Sequence, residues 1–156
     1  MKRIMFVCHG NICRSPMAEF IFRDLGRTKG LDSHCFAASC ATSTEEIRNG
    51  VGNPVYPPAK RELYRHGIEC GEKRAVQLKK SDYEKYDLFL CMDQYNLRNA
   101  LRILNGDPEG KVRKLLDFAD GSDVADPWYT DRFDVAYSDI LRGCQALLSA
   151  LTEAEL

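Results

Sequence analysis

Short apolar runs alternate along this chain with stripes of helical spacing. Ile4-Met5-Phe6-Val7 is an unbroken apolar run of the kind that forms a strand buried on both faces. A polar stretch from Cys8 to Arg14 follows, and Ser15-Pro16 reads as a helix N-cap and first helical residue. Met17, Phe20, Ile21 and Leu25 then recur at helical spacing, with Gly26 or Gly30 as the stop. The pattern predicts strand, tight loop and helix within the first 30 residues.

Downstream, His34 to Ala41 predicts a second strand. Thr42 to Pro58 reads as a long loop, a length often associated with function. Ala59 to His66 is a helix closed by Gly67, and Ser81 to Glu84 matches a capping box opening a short helix. Asp87 to Met92 is another buried strand. Leu97, Ala100, Leu101 and Leu104 mark the next helix, stopped by Asn105-Gly106-Asp107-Pro108. Lys111 to Phe118 predicts the last strand, and Asp117 to Thr130 an acidic loop. Phe133, Tyr137, Ile140, Cys144, Leu147 and Leu151 form one stripe of a long final helix.

Strands alternating with helices predict an α/β fold with a parallel sheet between helical layers. Ligands of such folds sit beyond the carboxyl ends of the strands. The loops opening at Cys8, Cys40, Met92 and Phe118 would then share one rim. No repeat, linker or low-complexity segment interrupts the 156 residues, so one domain over 1–156 is expected.

Composition narrows the class. With 44% hydrophobic and 29% charged residues, the chain is neither collagenous nor largely disordered. No apolar run approaches the roughly 18 residues of a membrane span. The N-terminal run is shorter than the about 7–15 residues of a secretion signal. A cytoplasmic protein without a membrane partner is expected. The 22 basic and 23 acidic side chains leave no nucleic-acid footprint. Their distribution is uneven. Residues 1–30 carry six basic and two acidic groups, 59–80 carry seven and three, and 117–156 carry two and nine. Two basic stretches flanking one cleft would draw in an anion; ordinary surface fluctuation is the other reading.

The seven cysteines are odd in number and include no C-x-x-C pair, which argues against a disulfide framework and a zinc site. Cys35, Cys40, Cys70, Cys91 and Cys144 lie in or beside apolar runs and read as core filler. Cys8 and Cys13 differ because of their loop. A loop that leaves a buried strand and enters a helix can turn its N–H groups inward as an anion cradle, and the helix N-terminus adds further donors. Gly10 permits unusual backbone, and Arg14 adds a planar cationic fork suited to phosphate oxygens. Cys8 lies at the floor of this cradle, where the same donors favour its thiolate. That thiolate is placed for in-line attack on a bound phosphate ester, giving a cysteinyl-phosphate. Ser15 would donate to the sulfur and make it a better leaving group.

Such a reaction needs a proton donor for the departing alcohol. Asp126-Pro127-Trp128-Tyr129 supplies one in the acidic loop: Asp126 as general acid and then base, with Trp128 and Tyr129 lining a slot for an aromatic ring. Asp-Pro also commonly opens a turn, which is the plain alternative.

Cys-His-Gly-Asn-Ile-Cys-Arg-Ser-Pro near the N-terminus, with Asp-Pro-Trp-Tyr about 110 residues on, resembles the low-molecular-weight protein tyrosine phosphatases. Met92-Asp93 after a strand and Ala41-Thr42-Ser43 extend the resemblance over essentially the whole chain. It implies a three-layer α/β fold around a four-stranded parallel sheet. It implies Cys8 as nucleophile, Arg14 as phosphate binder, Asp126 as general acid/base, and no metal or cofactor. His9, Gly10, Asn11, Ile12, Cys13 and Ser15 complete the phosphate-binding loop, Asn11 and Ser15 holding its shape and the thiolate. Ser43 is expected behind the loop in the same network, and Cys13 as a reversible disulfide partner that spares Cys8 irreversible oxidation. A small buried side chain is the other reading of Cys13.

Several positions depart from the family. His9 stands where many relatives have an apolar residue, and faces either substrate or solvent. Glu72 falls near a histidine of that network in some relatives. Thr44-Glu45-Glu46-Ile47-Arg48 lacks a large aromatic wall, and Glu45 and Glu46 at the cleft mouth would disfavour acidic peptide flanks. The expected substrates are phosphotyrosine-bearing proteins or small aryl phosphates, with inorganic phosphate as product. Competing readings are thiol-dependent arsenate reduction, which needs relay cysteines where this chain has only Cys70 and Cys91; a phosphocysteine carrier, which needs no Asp126; and a non-catalytic phosphate-binding or redox-sensing module.

Overall fold

A computed structural model describes residues 1–155. Strand β1 (Lys2–Cys8) feeds helix α1 (Arg14–Thr28) and returns to β2 (Cys35–Ala41). A small hairpin, β3 (Ile47–Arg48) and β4 (Val51–Gly52), precedes α2 (Pro57–Arg65). A 3₁₀ turn over Lys80–Glu84 leads to β5 (Leu88–Cys91), α3 (Gln94–Leu104) and β6 (Val112–Lys114). A second 3₁₀ turn, Leu115–Phe118, is followed by the single-turn helix α4 (Pro127–Thr130) and α5 (Phe133–Glu155).

The main sheet has four parallel strands in the order β2-β1-β5-β6. Central β1 is buried on both faces from Ile4 to Cys8, as its unbroken apolar run predicts. Strand alternation sorts its side chains into two cores. Ile4, Phe6 and Cys8 pack beneath α1, α2 and α5, while Met5 and Val7 pack with Phe89 and Cys91 beneath α3. The six apolar residues predicted for the last helix, Phe133 to Leu151, are all buried.

Local chemistry moves several boundaries. Helix α1 opens at Arg14 with Cys13 at the N-cap, not at Ser15; the loop around the anion site swings the backbone into helical register early, and Pro16 tolerates the first turn because that turn has no N–H partner to lose. The long loop from Thr42 to Pro58 is interrupted by the β3–β4 hairpin and ends where Pro57 starts α2. Gly52 sits so close to Ala75 that a Cβ there would clash with its carbonyl oxygen, which explains a glycine on that strand. The capping residue before the first 3₁₀ turn is Lys79 rather than Ser81, with its N–H donating to Asp82 Oδ2 at 2.9 Å. The last strand is only three residues, because Asp117 Oδ2 takes the Lys114 N–H at 3.0 Å and bends the chain into a turn. Cys35 is half-exposed, whereas the other cysteines read as filler are buried.

Candidate active site

The site forms where β1 stops. Cys8 is its last residue, and the chain from Cys8 to Arg14 wraps tightly before α1 begins. Asn11 makes the wrap possible by adopting φ +60°, a region asparagine visits more readily than most side chains. Its N–H then points at Cys8 Sγ (3.3 Å), and its carboxamide turns inward. Nδ2 donates to Ser15 Oγ (2.8 Å) and Ser39 Oγ (3.0 Å), and Oδ1 accepts the Val76 N–H (3.0 Å). Ser15 Oγ lies 2.9 Å from Cys8 Sγ and 3.4 Å from the Cys40 carbonyl. Asn11 fills an acceptor position on that hydroxyl, whose single proton is shared between the sulfur and the Cys40 carbonyl as possible partners. Among the described residues, the backbone N–H groups of Gly10, Ile12 and Cys13 have no acceptor. The Ile12 side chain is buried beneath the loop, and its carbonyl accepts from the Tyr56 N–H at 2.8 Å.

Arg14 is 2% exposed, and its guanidinium is aimed by three contacts. Nη1 donates to Asp93 Oδ2 (2.7 Å) and to the Val124 carbonyl (2.7 Å), and Nη2 approaches Asp126 Oδ2 at 3.4 Å. Burial works against its charge, but Cys8, Asp126 and Asp93 outweigh it and raise its proton affinity. Asp93 also caps α3, taking the Asn96 N–H on Oδ1 at 2.7 Å. Asp126 caps α4 through the Trp128 N–H at 3.0 Å, so the Asp-Pro sequence does open a turn, and that turn delivers the carboxylate to Arg14. Burial pushes the thiol of Cys13 up, and the neighbouring Cys8 pushes it further. The buried thiols of Cys40, Cys91 and Cys144 are pushed up as well.

A cleft of about 610 Å³ opens above this loop. Its mouth carries Trp128 and Tyr129, both exposed, with Trp128 leaning on Tyr56 at a centroid distance of 5.0 Å. Glu45 and Glu46 stand on its rim, and His9 bridges to Glu45 (Nε2 to Oε2, 2.9 Å) beside Tyr95.

Ser43 lies outside the network expected for it. Its hydroxyl accepts the Glu45 N–H at 3.0 Å, and Ser39 contacts Asn11 instead. Ser39 lies in β2 on the face turned to α1, whereas Ser43 lies past the end of the strand at Ala41, where the chain has left the sheet. Ser39 in turn donates to buried Glu19 (2.6 Å), which pairs with Arg23 (2.7 Å) and Lys73 (3.8 Å). Glu72 is exposed, and Lys73 reaches the Ser39 carbonyl at 3.0 Å from its neighbouring position. The second basic stretch does not reach this cleft, since none of residues 59–80 lines it; the two stretches meet elsewhere, around a separate pocket where Arg23 faces Lys73 and Lys79. The sequence reading also missed Asp93, Tyr95 and Asn96. Asp93 carried a signal, an N-cap residue between a buried strand and a helical stripe.

The sequence model of the family described as Low molecular weight phosphotyrosine protein phosphatase matches residues 3–155. The chain is 36% identical over 154 residues to the Low molecular weight protein-tyrosine-phosphatase YfkJ of Bacillus subtilis (97% of this chain, 96% of that protein). It is 38% identical over 153 residues to the Low molecular weight phosphotyrosine protein phosphatase of Mus musculus (94% of each chain). The crystal structure of YfkJ superposes with a TM-score of 0.93 at 34% identity, covering 100% of this chain and 98% of that one. The Streptococcus pyogenes enzyme SP-PTP gives 0.84 at 32% identity, covering 97% and 93%. The chain belongs to the low-molecular-weight phosphotyrosine protein phosphatases, a family of phosphoric monoester hydrolases with this three-layer α/β fold.

Replacing Asn11 by Ala places an alanine at φ +60° and removes the carboxamide's three hydrogen bonds, two given and one received, while keeping the backbone N–H that meets the sulfur. The expected loss is about 2–3 kcal/mol of folding stability, with weaker vanadate binding. Urea unfolding and vanadate titration of the variant check both, and unchanged values would show that the carboxamide does not hold the loop.

Proposed function

We propose that this chain hydrolyses phosphotyrosine in proteins, and small aryl phosphates, in two steps at Cys8, releasing inorganic phosphate. The observation that supports it most directly is the meeting of Cys8 Sγ, Ser15 Oγ, the Asn11 N–H and the Arg14 guanidinium around one loop, with Asp126 held beside Arg14. In the first step the Cys8 thiolate attacks phosphorus. The S–P bond forms as the P–O(aryl) bond breaks, and Asp126 in its acid form gives its proton to the departing phenol oxygen. The inward N–H groups and Arg14 hold the equatorial oxygens as charge develops on them. In the second step Asp126 takes a proton from water, the water oxygen attacks phosphorus, and the S–P bond breaks. The Ser15 hydroxyl steadies the thiolate that leaves. Trp128 and Tyr129 flank the entering ring.

Arg14 is prepared for this role. Asp93 and Val124 fix Nη1, and Nη2 turns toward the cleft, where an incoming oxyanion meets it beside Asp126. The arsenate-reduction alternative finds no thiol relay here. Cys70 packs in the core on the α1 side of the sheet, and Cys91 packs in the core on the opposite side. Cys13 is proposed as a reversible disulfide partner of Cys8, supported by its place on the same loop and its electrostatic coupling to that sulfur.

Cys8→Ser is expected to abolish p-nitrophenyl phosphate turnover while retaining phosphate binding; turnover near the parent rate would remove Cys8 as nucleophile. Asp126→Ala is expected to lower kcat by about 10²–10⁴-fold on phosphotyrosine and much less on an ester with a good leaving group. An equal effect on both esters would contradict a proton-donor role. Mild peroxide is expected to inactivate the enzyme reversibly through a Cys8–Cys13 disulfide. Mass spectrometry that found only sulfonic acid at Cys8 would exclude that protection.

A further inference from the structure

We infer that the mouth of the cleft selects phosphotyrosine segments whose neighbouring side chains are basic, an inference that rests on the phosphatase reading above. The cleft holds one guanidinium at its floor, already paired with carboxylates, and its rim is anionic. Arg14 is the sole Lys or Arg lining it among the described residues, and that charge is committed to the floor through Asp93 and Asp126. On the rim, neither Glu45 nor Glu46 has a fixed cation. Glu45 meets His9 Nε2 at 2.9 Å, and Glu46 accepts from Asn53 Nδ2 at 3.0 Å.

These carboxylates are held in place rather than swinging free. The Ser43 N–H donates to the His9 carbonyl at 2.9 Å, and the Glu45 N–H donates to Ser43 Oγ at 3.0 Å. Glu46 lies so close over the phosphate loop that a Cβ on Gly10 would stand 3.2 Å from its Cγ. The residues on either side of a phosphotyrosine seated on Cys8 must therefore pass this rim. Around them stand the exposed rings of Tyr95, Trp128 and Tyr129, whose faces attract cations.

A lysine or arginine near the phosphotyrosine would meet complementary charge and aromatic faces, and an acidic residue would be repelled. Each exposed facing pair changes kcat/KM by roughly two- to five-fold, and the effect shrinks as salt screens it. His9 is part of the selector, because it orients Glu45 and ties that loop to the phosphate loop.

The test compares two phosphotyrosine peptides that differ only in carrying two Lys or two Glu beside the phosphotyrosine. The Lys peptide is expected to show about tenfold higher kcat/KM at low salt, with the ratio falling at 300 mM NaCl. Glu45→Gln combined with Glu46→Gln should collapse the ratio toward one. The salt dependence of the unaltered enzyme tests the same point without any variant. Equal kcat/KM for the two peptides, or a preference for Glu, with p-nitrophenyl phosphate still turned over, would overturn the inference and leave the phosphatase reading intact. Loss of p-nitrophenyl phosphate turnover in the unaltered enzyme would instead overturn that reading, and this inference with it.

Discussion

One carboxamide in a left-handed backbone conformation holds the site together. Asn11 reverses the chain so that its N–H meets the sulfur of Cys8, and the same reversal sends its side chain back into the protein. There it joins α1 through Ser15, β2 through Ser39, and the stretch before the first 3₁₀ turn through Val76. Three separate segments thus fix one loop. A buried amide costs free energy unless its donors and acceptor are all paired, so the conformation at Asn11 and the positions of its partners are mutually dependent.

A second layer supports the first by burying charge. Glu19, behind Ser39, is among the least exposed carboxylates, and Arg23 and Lys73 compensate it. Arg14 is nearly as deep and is compensated by Asp93. Removing one partner of such a buried pair costs about 3–5 kcal/mol, because the other charge is left alone in a poorly solvating environment. Both pairs therefore constrain geometry more than they add stability. Asp93 and Val124 hold the Arg14 guanidinium in one direction at the floor of the cleft.

The rim follows a different logic from the floor. The floor gathers backbone N–H groups and one guanidinium around Cys8. The rim is built from Glu45, Glu46, His9 and three exposed rings, and its carboxylates meet no lysine or arginine among the described residues of the lining. His9 is tied there to Glu45.

The sequence by itself determined the strand, loop and helix at the N-terminus, the alternation that makes a parallel sheet, and the spacing of Cys8, Arg14 and Ser15. These depend on neighbours within a few residues, where apolar runs, glycine and helix-start chemistry act directly. It also determined that Asp126 precedes a turn, since Asp-Pro fixes its own backbone. The tertiary structure alone decided that Asp93, 79 residues from Arg14 in sequence, locks the guanidinium. It decided as well that Ser39 and not Ser43 meets Asn11, that Lys73 and not Glu72 enters the network, and that the basic stretch at 59–80 stays away from the cleft. Those outcomes follow from which segments, distant in sequence, the fold brings together: Ser43 lies past the end of β2, and Glu72 and Lys73 lie in a stretch outside any strand. A local pattern records an element without recording what lies opposite it.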